Sequence, residues 1–200
     1  QIKSPLFQDK CKYLSTNIEF EKDDFFKNEF DDCLKKFEKF ILIVGDSQTE
    51  DLFNSIGKIS SKDEFIISLS RGGCRPYDPS VNQEDCHYSN VLNFIKSNKS
   101  QIKNVLFSHL GSYFLTGNNK PLINKKKIFT TIGYIEEIKE ITNDIIFIGP
   151  HIELELIEFN YEMIKNLNLI LPFSDKINYD ILKIDKELKA ISRKRNIEYI

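Results

Sequence analysis

Residues 41–56 read ILIVGDSQTEDLFNSI, and this stretch decides the fold. Four branched apolar residues in a row are typical of a strand that is buried on both faces, as in a parallel sheet. Gly-Asp-Ser follows directly, and Leu52, Phe53 and Ile56 then lie on one side of a helix. The stretch therefore predicts a strand, a turn and a helix, which is how a parallel α/β unit begins.

The same pattern continues along the chain. Apolar segments predict three further strands, at 64–70, 102–110 and 144–150, and NIEYI at 196–200 begins a fifth. Helical patterns lie between the strands, at 50–59, 90–98, 128–142 and about 176–194. Strands that alternate with helices predict a parallel sheet with helices on both faces. We expect residues 40–200 to form this α/β domain, and residues 1–39, with a short helix near 24–36, to form an N-terminal extension packed on its core.

In such sheets the ligand chemistry gathers where the strands end. Four segments are predicted to meet there, at 45–47, 70–74, 108–112 and 149–151.

The charge composition and the lengths of the apolar runs argue against binding to nucleic acid and against a membrane span. The chain has 28 basic and 30 acidic residues, well mixed, and this balance gives no reason to expect binding to nucleic acid or to an anionic membrane. No apolar run approaches the roughly 18 to 20 residues that span a bilayer.

Four cysteines form no Cys-x-x-Cys motif, and only His87 lies close to any of them, which argues against a zinc site. Three disulfide connectivities are possible, and the pairing of sequence neighbours, Cys11 with Cys33 and Cys74 with Cys86, is the simplest. That pairing predicts an oxidising compartment. The alternative is four free thiols in a cytosolic protein.

Ser47 has two interpretations. In the first, residues 47–50 are a capping box, in which the Ser47 hydroxyl accepts from the amide of Glu50. In the second, the hydroxyl stands at the positive end of a helix, where free backbone amides can stabilise an oxyanion and the serine can act as a nucleophile. Asp46 would then point back into the turn and hold the loop amides in place.

These residues resemble the SGNH/GDSL esterases and acyltransferases, in which Gly-Asp-Ser follows the first strand and the serine is the nucleophile. The resemblance is greater to the SGNH domains fused to the carboxyl side of acyltransferase-three membrane proteins, over roughly residues 11–200. Two cysteines precede the first strand there, and a Cys-x-Pro element and a further cysteine follow the second, as in GGCRP and Cys86 here. NVLFSHLGSYF and IIFIGPHIE are similar to the third- and fourth-strand blocks of that branch.

The resemblance implies a flavodoxin-like three-layer α/β/α sandwich of SGNH type, with a parallel sheet of about five strands. It implies that Ser47 is the nucleophile, that Asp46 supports its loop, and that Gly73 rather than Gly72 lines the oxyanion hole. His109 stands where the related domains place an arginine. We expect His109, Tyr113 and His151 to contact substrate, although packing in the loops or the pocket wall is the alternative for each of them.

The catalytic base is the weak point of the resemblance. SGNH enzymes carry it in an Asp-x-x-His after the fifth strand, and this sequence contains no such motif. We expect the motif to lie beyond Ile200, and the alternative is a domain that has lost its base. The internal candidates are His87, His109 and His151. The Asn of free-standing GDSL esterases is also absent from SHLGSYF, which favours the membrane-fused branch.

The expected function is serine-dependent transfer of an acyl group, in the first place acetyl, through acyl-Ser47 to a hydroxyl of a cell-envelope polysaccharide. We expect no cofactor and no metal. The expected partners are a glycan acceptor, an acyl donor and a membrane acyltransferase domain, in the same chain or separate, that tethers the domain outside the cytoplasm. The alternatives are a carbohydrate esterase of the same fold, a non-catalytic glycan-binding domain, and a cytosolic flavodoxin-like nucleotide binder.

Overall fold

A six-stranded parallel sheet forms the centre of the computed structural model, which describes residues 11–16, 23–59, 64–77, 86, 88–116, 122–150 and 179–200. Its strands are β1 (Lys12–Ser15), β2 (Phe40–Gly45), β3 (Phe65–Ser70), β4 (Ile102–Ser108), β7 (Ile145–Ile148) and β8 (Glu198–Tyr199). Their spatial order is β1-β3-β2-β4-β7-β8. Two short strands, β5 (Leu115–Thr116) and β6 (Leu122–Ile123), form a separate antiparallel pair.

Helices cover both faces of the sheet. They are α1 (Asp24–Asn28), α2 (Phe30–Phe37), α3 (Gln48–Ile59), α4 (Tyr88–Ser97), α5 (Lys125–Ile141) and α6 (Tyr179–Lys194). Alternate residues of β2 point to opposite faces, so that Ile43 packs with Phe53 of α3 while Leu42 and Val44 belong to the larger core cluster beneath the other helices. The predicted α/β/α fold is confirmed. Within the described residues, no helix combines the length and the apolar character needed to cross a membrane.

The register of the sheet brings the predicted functional segments together. Gly45, the last residue of β2, pairs with Ser70 of β3 on one side and with Ser108 of β4 on the other. Ser108 in turn pairs with Ile148 of β7. The loops that follow these four strands therefore begin at the same level of one sheet edge.

The segment before residue 40 contributes more to the sheet than the sequence indicated. Lys12–Ser15 pairs in parallel with β3 and forms an edge strand that the sequence did not predict. The single helix expected near 24–36 is two helices, α1 and α2, separated at Glu29. The sequence does not predict this strand, because KYLS lacks the continuous apolar run of the central strands.

Both predicted disulfides are present. Cys11 is bonded to Cys33, which fixes the start of β1 to α2, and Cys74 is bonded to Cys86, which closes the loop after β3. Their Cα atoms are 5.5 Å apart in each pair, the ordinary separation for a disulfide. All four cysteines are thereby used in disulfides.

The end of β2 admits no side chain at Gly45. A Cβ at this position would overlap the carbonyl oxygen of Ser108 and lie 2.9 Å from the methyl group of Thr49. Neither backbone can retreat without disturbing the pairing of β2 with β4. We therefore expect Gly45→Ala to lower the free energy of unfolding by at least about 3 kcal/mol, measured by chemical denaturation.

Gly133 provides the matched control for this prediction. A Cβ on Gly133, within α5, would meet nothing within 4 Å. Alanine there should raise the free energy of unfolding by about 0.5–1 kcal/mol, because glycine is unfavourable inside a helix. Equal denaturation midpoints for Gly45→Ala and the wild type would contradict the close approach of β2 and β4.

Candidate active site

Ser47 lies in the turn between β2 and α3, and its side chain is exposed. The capping box considered from the sequence is not formed, because the amide of Glu50 donates to the Ser47 carbonyl oxygen at 3.2 Å and not to the hydroxyl. Within the described part of the chain, the Ser47 hydroxyl makes no hydrogen bond. It is therefore free to meet a ligand at the amino end of α3.

Asp46 caps the helix in place of the serine. Its carboxylate is completely buried, and Oδ1 accepts a hydrogen bond of 2.9 Å from the amide of Gln48. Oδ2 accepts one of 2.8 Å from the amide of Leu110, in the loop after β4. One carboxylate thus joins the turn that carries Ser47 to the neighbouring loop of the same sheet edge.

Arg75 lies at the same sheet edge and contacts Asp46, which the sequence did not predict. Its Nη2 lies 3.0 Å from Oδ2 of Asp46, and its side chain is only 9% exposed. Nη1 donates to the carbonyl oxygen of Cys74 at 2.6 Å, within its own loop. The available signal was an arginine directly after a disulfide cysteine, in a loop predicted to reach the same sheet edge as Asp46.

The pKa of Asp46 is lowered to about 2. Burial alone would raise it, but His109, the guanidinium of Arg75 and the amide of Leu110 together outweigh that effect by favouring the charged carboxylate. Because the folded-state pKa lies below the ordinary value of about 3.9, ionisation of Asp46 stabilises the fold at neutral pH. This contribution is lost as the pH falls through about 2.

His109 is buried beneath the surface, between the rings of Phe107 and Tyr113. Its Nδ1 lies 3.5 Å from Oδ2 of Asp46, too far for a strong hydrogen bond, and neither ring nitrogen has a hydrogen-bond partner among the described residues. Burial lowers the pKa of His109, and the Asp46 carboxylate offsets this effect in part.

Substrate contact by His109 stays a prediction, and the structure adds the surroundings of its ring. Its side chain has no exposed area in this structure, and its Nδ1 is on the side of the Asp46 carboxylate. We assign the Arg75 guanidinium, 3.0 Å from Oδ2, as the stronger of the two contacts to Asp46.

Gly72 and Gly73, in the loop after β3, differ in backbone conformation and in their distance from Ser47. Gly73 has a φ of 77° in a turn closed by the bond of 3.2 Å from the Cys74 amide to the Arg71 carbonyl oxygen, a conformation that favours glycine. A Cβ on Gly73 would meet nothing within 4 Å. A Cβ on Gly72, in contrast, would lie 3.9 Å from the Cβ of Ser47. Gly72 is thus the glycine that borders Ser47.

Tyr113 is half-buried in a short 3-10 helix after β4. The ring lies under two cations, 4.9 Å from the guanidinium carbon of Arg75 and 4.3 Å from Nζ of Lys127. The Lys127 ammonium also donates to the Tyr113 carbonyl oxygen at 2.9 Å. Substrate contact by Tyr113 stays a prediction, and any such contact would use a ring already fixed by cation–π interactions.

The other predicted histidines, His87 and His151, lie outside the described residues. No group of three or more His, Cys, Asp or Glu side chains that could hold a metal ion occurs among the residues that the structure describes. At this edge the described residues include an exposed serine, Ser47, and a buried carboxylate, Asp46.

Comparisons with known proteins agree with this geometry. A family model described as "SGNH domain (fused to AT3 domains)" matches residues 11–200. Among solved structures, the periplasmic domain of the lipopolysaccharide acetyltransferase of Salmonella ser. Paratyphi A is similar, with a TM-score of 0.59 and 26% sequence identity. The similarity covers 82% of this chain and 67% of that one. No curated protein matches the sequence.

Proposed function

The chain belongs to the family of SGNH domains that are fused to AT3 domains, and on this premise we propose that it transfers an acyl group through Ser47 to a cell-envelope polysaccharide. The acyl group is acetyl and the acceptor is a glycan hydroxyl. The observation that carries the proposal is the exposed Ser47 hydroxyl, which has no hydrogen-bond partner among the described residues and stands at the amino end of α3.

The reaction has two steps. In the first, Ser47 Oγ bonds to the carbonyl carbon of the donor, the donor's leaving group departs, and the serine proton passes to a base. In the second, the oxygen of a glycan hydroxyl bonds to the same carbon, the proton of that hydroxyl passes to the base, and Ser47 takes a proton from the base as the bond between Ser47 Oγ and the acyl carbon breaks. In this proposal, backbone amides at the start of α3 and at Gly72–Gly73 stabilise the oxyanion of each step.

The scheme needs a base for the Ser47 proton, which in SGNH enzymes is the histidine of an Asp-x-x-His. The ring of His109 is buried against Asp46 in this structure. Asp46 contributes by fixing the turn, since its two oxygens accept from the amides of Gln48 and Leu110. A hydroxyl on a rigid turn meets the donor in one orientation, which favours attack.

The proposed setting is outside the cytoplasm, with a membrane acyltransferase domain as the source of the acyl group. The family match supports this partner, because the matched domains are fused to AT3 domains. The two disulfides support an oxidising compartment. The similar Salmonella domain is described as periplasmic and as part of a lipopolysaccharide acetyltransferase.

The covalent intermediate provides the test. The full-length protein is mixed with p-nitrophenyl acetate, quenched with acid and digested, and the peptides are analysed by mass spectrometry. We expect one acetyl group on the peptide that contains Ser47. Ser55 is the internal control and should carry no acetyl group. It is exposed on the same helix, and its hydroxyl donates a hydrogen bond to the Asp51 carbonyl oxygen.

The same experiment separates transfer from its alternatives. With polysaccharide added, acetyl ester on the glycan indicates a transferase, whereas free acetate alone indicates a carbohydrate esterase. Folded protein that binds the glycan but never acquires an acetyl group at Ser47 would contradict both and favour a glycan-binding domain.

A further inference from the structure

The guanidinium of Arg75 contacts three loops at once. It lies 3.0 Å from the Asp46 carboxylate of the Ser47 turn and donates to the Cys74 carbonyl oxygen of its own loop at 2.6 Å. It also covers the ring of Tyr113, in the loop after β4, at 4.9 Å. A planar guanidinium can make all of these contacts together, whereas an ammonium group cannot.

The loop that Arg75 belongs to borders the nucleophile. The amide of Arg71 donates to the carbonyl oxygen of Gly45 at 3.3 Å, and Gly72 follows with a Cα that faces the Cβ of Ser47. No side chain separates this backbone from the serine. The position of the Gly72 and Gly73 amides relative to the Ser47 hydroxyl therefore depends on what fixes this loop against the turn.

We propose that Arg75 is a positioning residue for Ser47, which ties the disulfide-closed loop to Asp46 and so sets the distance between the loop amides and the serine hydroxyl. The inference rests on the proposed function, because its readout is acylation of Ser47.

One backbone contact, the bond of 3.3 Å from the Arg71 amide to the Gly45 carbonyl oxygen, joins the start of this loop to the end of β2, but it does not reach the Asp46 carboxylate. The Cys74–Cys86 disulfide closes the loop on itself and on α4, and the amides of Gln48 and Leu110 hold Asp46 to its own turn and to the loop after β4. Among the described side chains of the loop after β3, only Arg75 forms an ion pair with Asp46. Its near-complete burial beside a buried carboxylate makes the geometry of this pair strict.

The test compares Arg75→Met and Arg75→Lys with the wild type in the full-length protein, using the rate of Ser47 acylation by p-nitrophenyl acetate. We expect Arg75→Met to lower kcat by about 10- to 100-fold with a smaller change in KM, because binding of this small ester uses little of the loop. Arg75→Lys should recover part of the rate, since it restores one charge. Arg195→Met, which removes an exposed ion pair with Glu136, is the control and should match the wild type.

A pH profile separates positioning from a loss of folding. The groups that face the Asp46 carboxylate are Arg75, His109, the amide of Leu110 and the buried phenol of Tyr88. Without Arg75 the pKa of Asp46 rises, so the free energy of unfolding of Arg75→Met should begin to fall at a higher pH than that of the wild type, whereas its acylation rate should be low at every pH. Unfolding transitions recorded on the same samples identify the temperature at which every variant is folded, and rates are compared there.

A double variant completes the design. If Arg75 acts through Asp46, Asp46→Asn and Arg75→Met together should reduce the rate by less than the product of their separate effects. Folded Arg75→Met with the wild-type rate, or fully additive effects, would overturn the inference while the proposed function stands. Wild-type protein that never acylates Ser47 would instead overturn the proposed function, and this inference with it.

Discussion

Replacing Ser47 with alanine is expected to lower kcat/KM for acyl transfer by about 10⁴-fold or more, because no other group can form the acyl intermediate. The loss should appear in kcat, since the hydroxyl bonds to the substrate only during the reaction. The measurement is the initial rate of p-nitrophenyl acetate consumption, and of glycan acetylation where acceptor is supplied, by the full-length protein.

Ser55→Ala is the matched control for this prediction. Ser55 lies two turns further along α3, and its hydroxyl donates only to the Asp51 carbonyl oxygen of the same helix, at 2.8 Å. Its loss removes a serine from an exposed helix face without touching the sheet edge. Equal rates for Ser47→Ala and Ser55→Ala would remove Ser47 from the mechanism, whatever the fold resembles.

The fold could be predicted from the sequence because its central strands are buried on both faces. β2, β3 and β4 each contain a run of at least three apolar residues, and each ends within two residues of its predicted end. β1 was not predicted because an edge strand of four residues is half-exposed and its identity depends on its pairing with β3. The pairing of two strands that are distant in the chain produces no periodic hydrophobic pattern in the sequence of either strand.

The candidate site could be predicted only in part. The exposure of Ser47 follows from its place between a buried strand and a helix, which local sequence shows. The burial of Arg75 and His109 depends on how the loops after β2, β3 and β4 pack together. The local sequence does not predict which side chains of these loops are buried. His109 lies one residue beyond β4, where the alternation of the strand no longer fixes its direction. Which of Gly72 and Gly73 borders Ser47 depends on the turn that gives Gly73 its positive φ, and the sequence does not specify this turn.

The second large effect is expected at Asp46. Asp46→Asn keeps the shape of the side chain but removes the charge that neutralises Arg75, whose guanidinium is nearly buried. An unpaired buried charge should lower the free energy of unfolding by about 3–5 kcal/mol. Urea denaturation at neutral pH measures it. Asp32→Asn, which breaks an ion pair with Lys35 in which both side chains are more than three-quarters exposed, should leave the midpoint unchanged within error.

The pH dependence of this loss identifies its origin. In the wild type the pKa of Asp46 is lowered to about 2, so the stabilisation from its charge is complete above the ordinary value of about 3.9 and declines as the pH falls towards 2. The asparagine variant lacks this titration. The difference in unfolding free energy between the two proteins should therefore narrow between pH 5 and pH 2, over about the interval that separates the two pKa values. A difference that stays constant over that interval would show that the variant is destabilised by its altered hydrogen bonds to Gln48 and Leu110, and that the ion pair with Arg75 contributes little to the turn that holds Ser47.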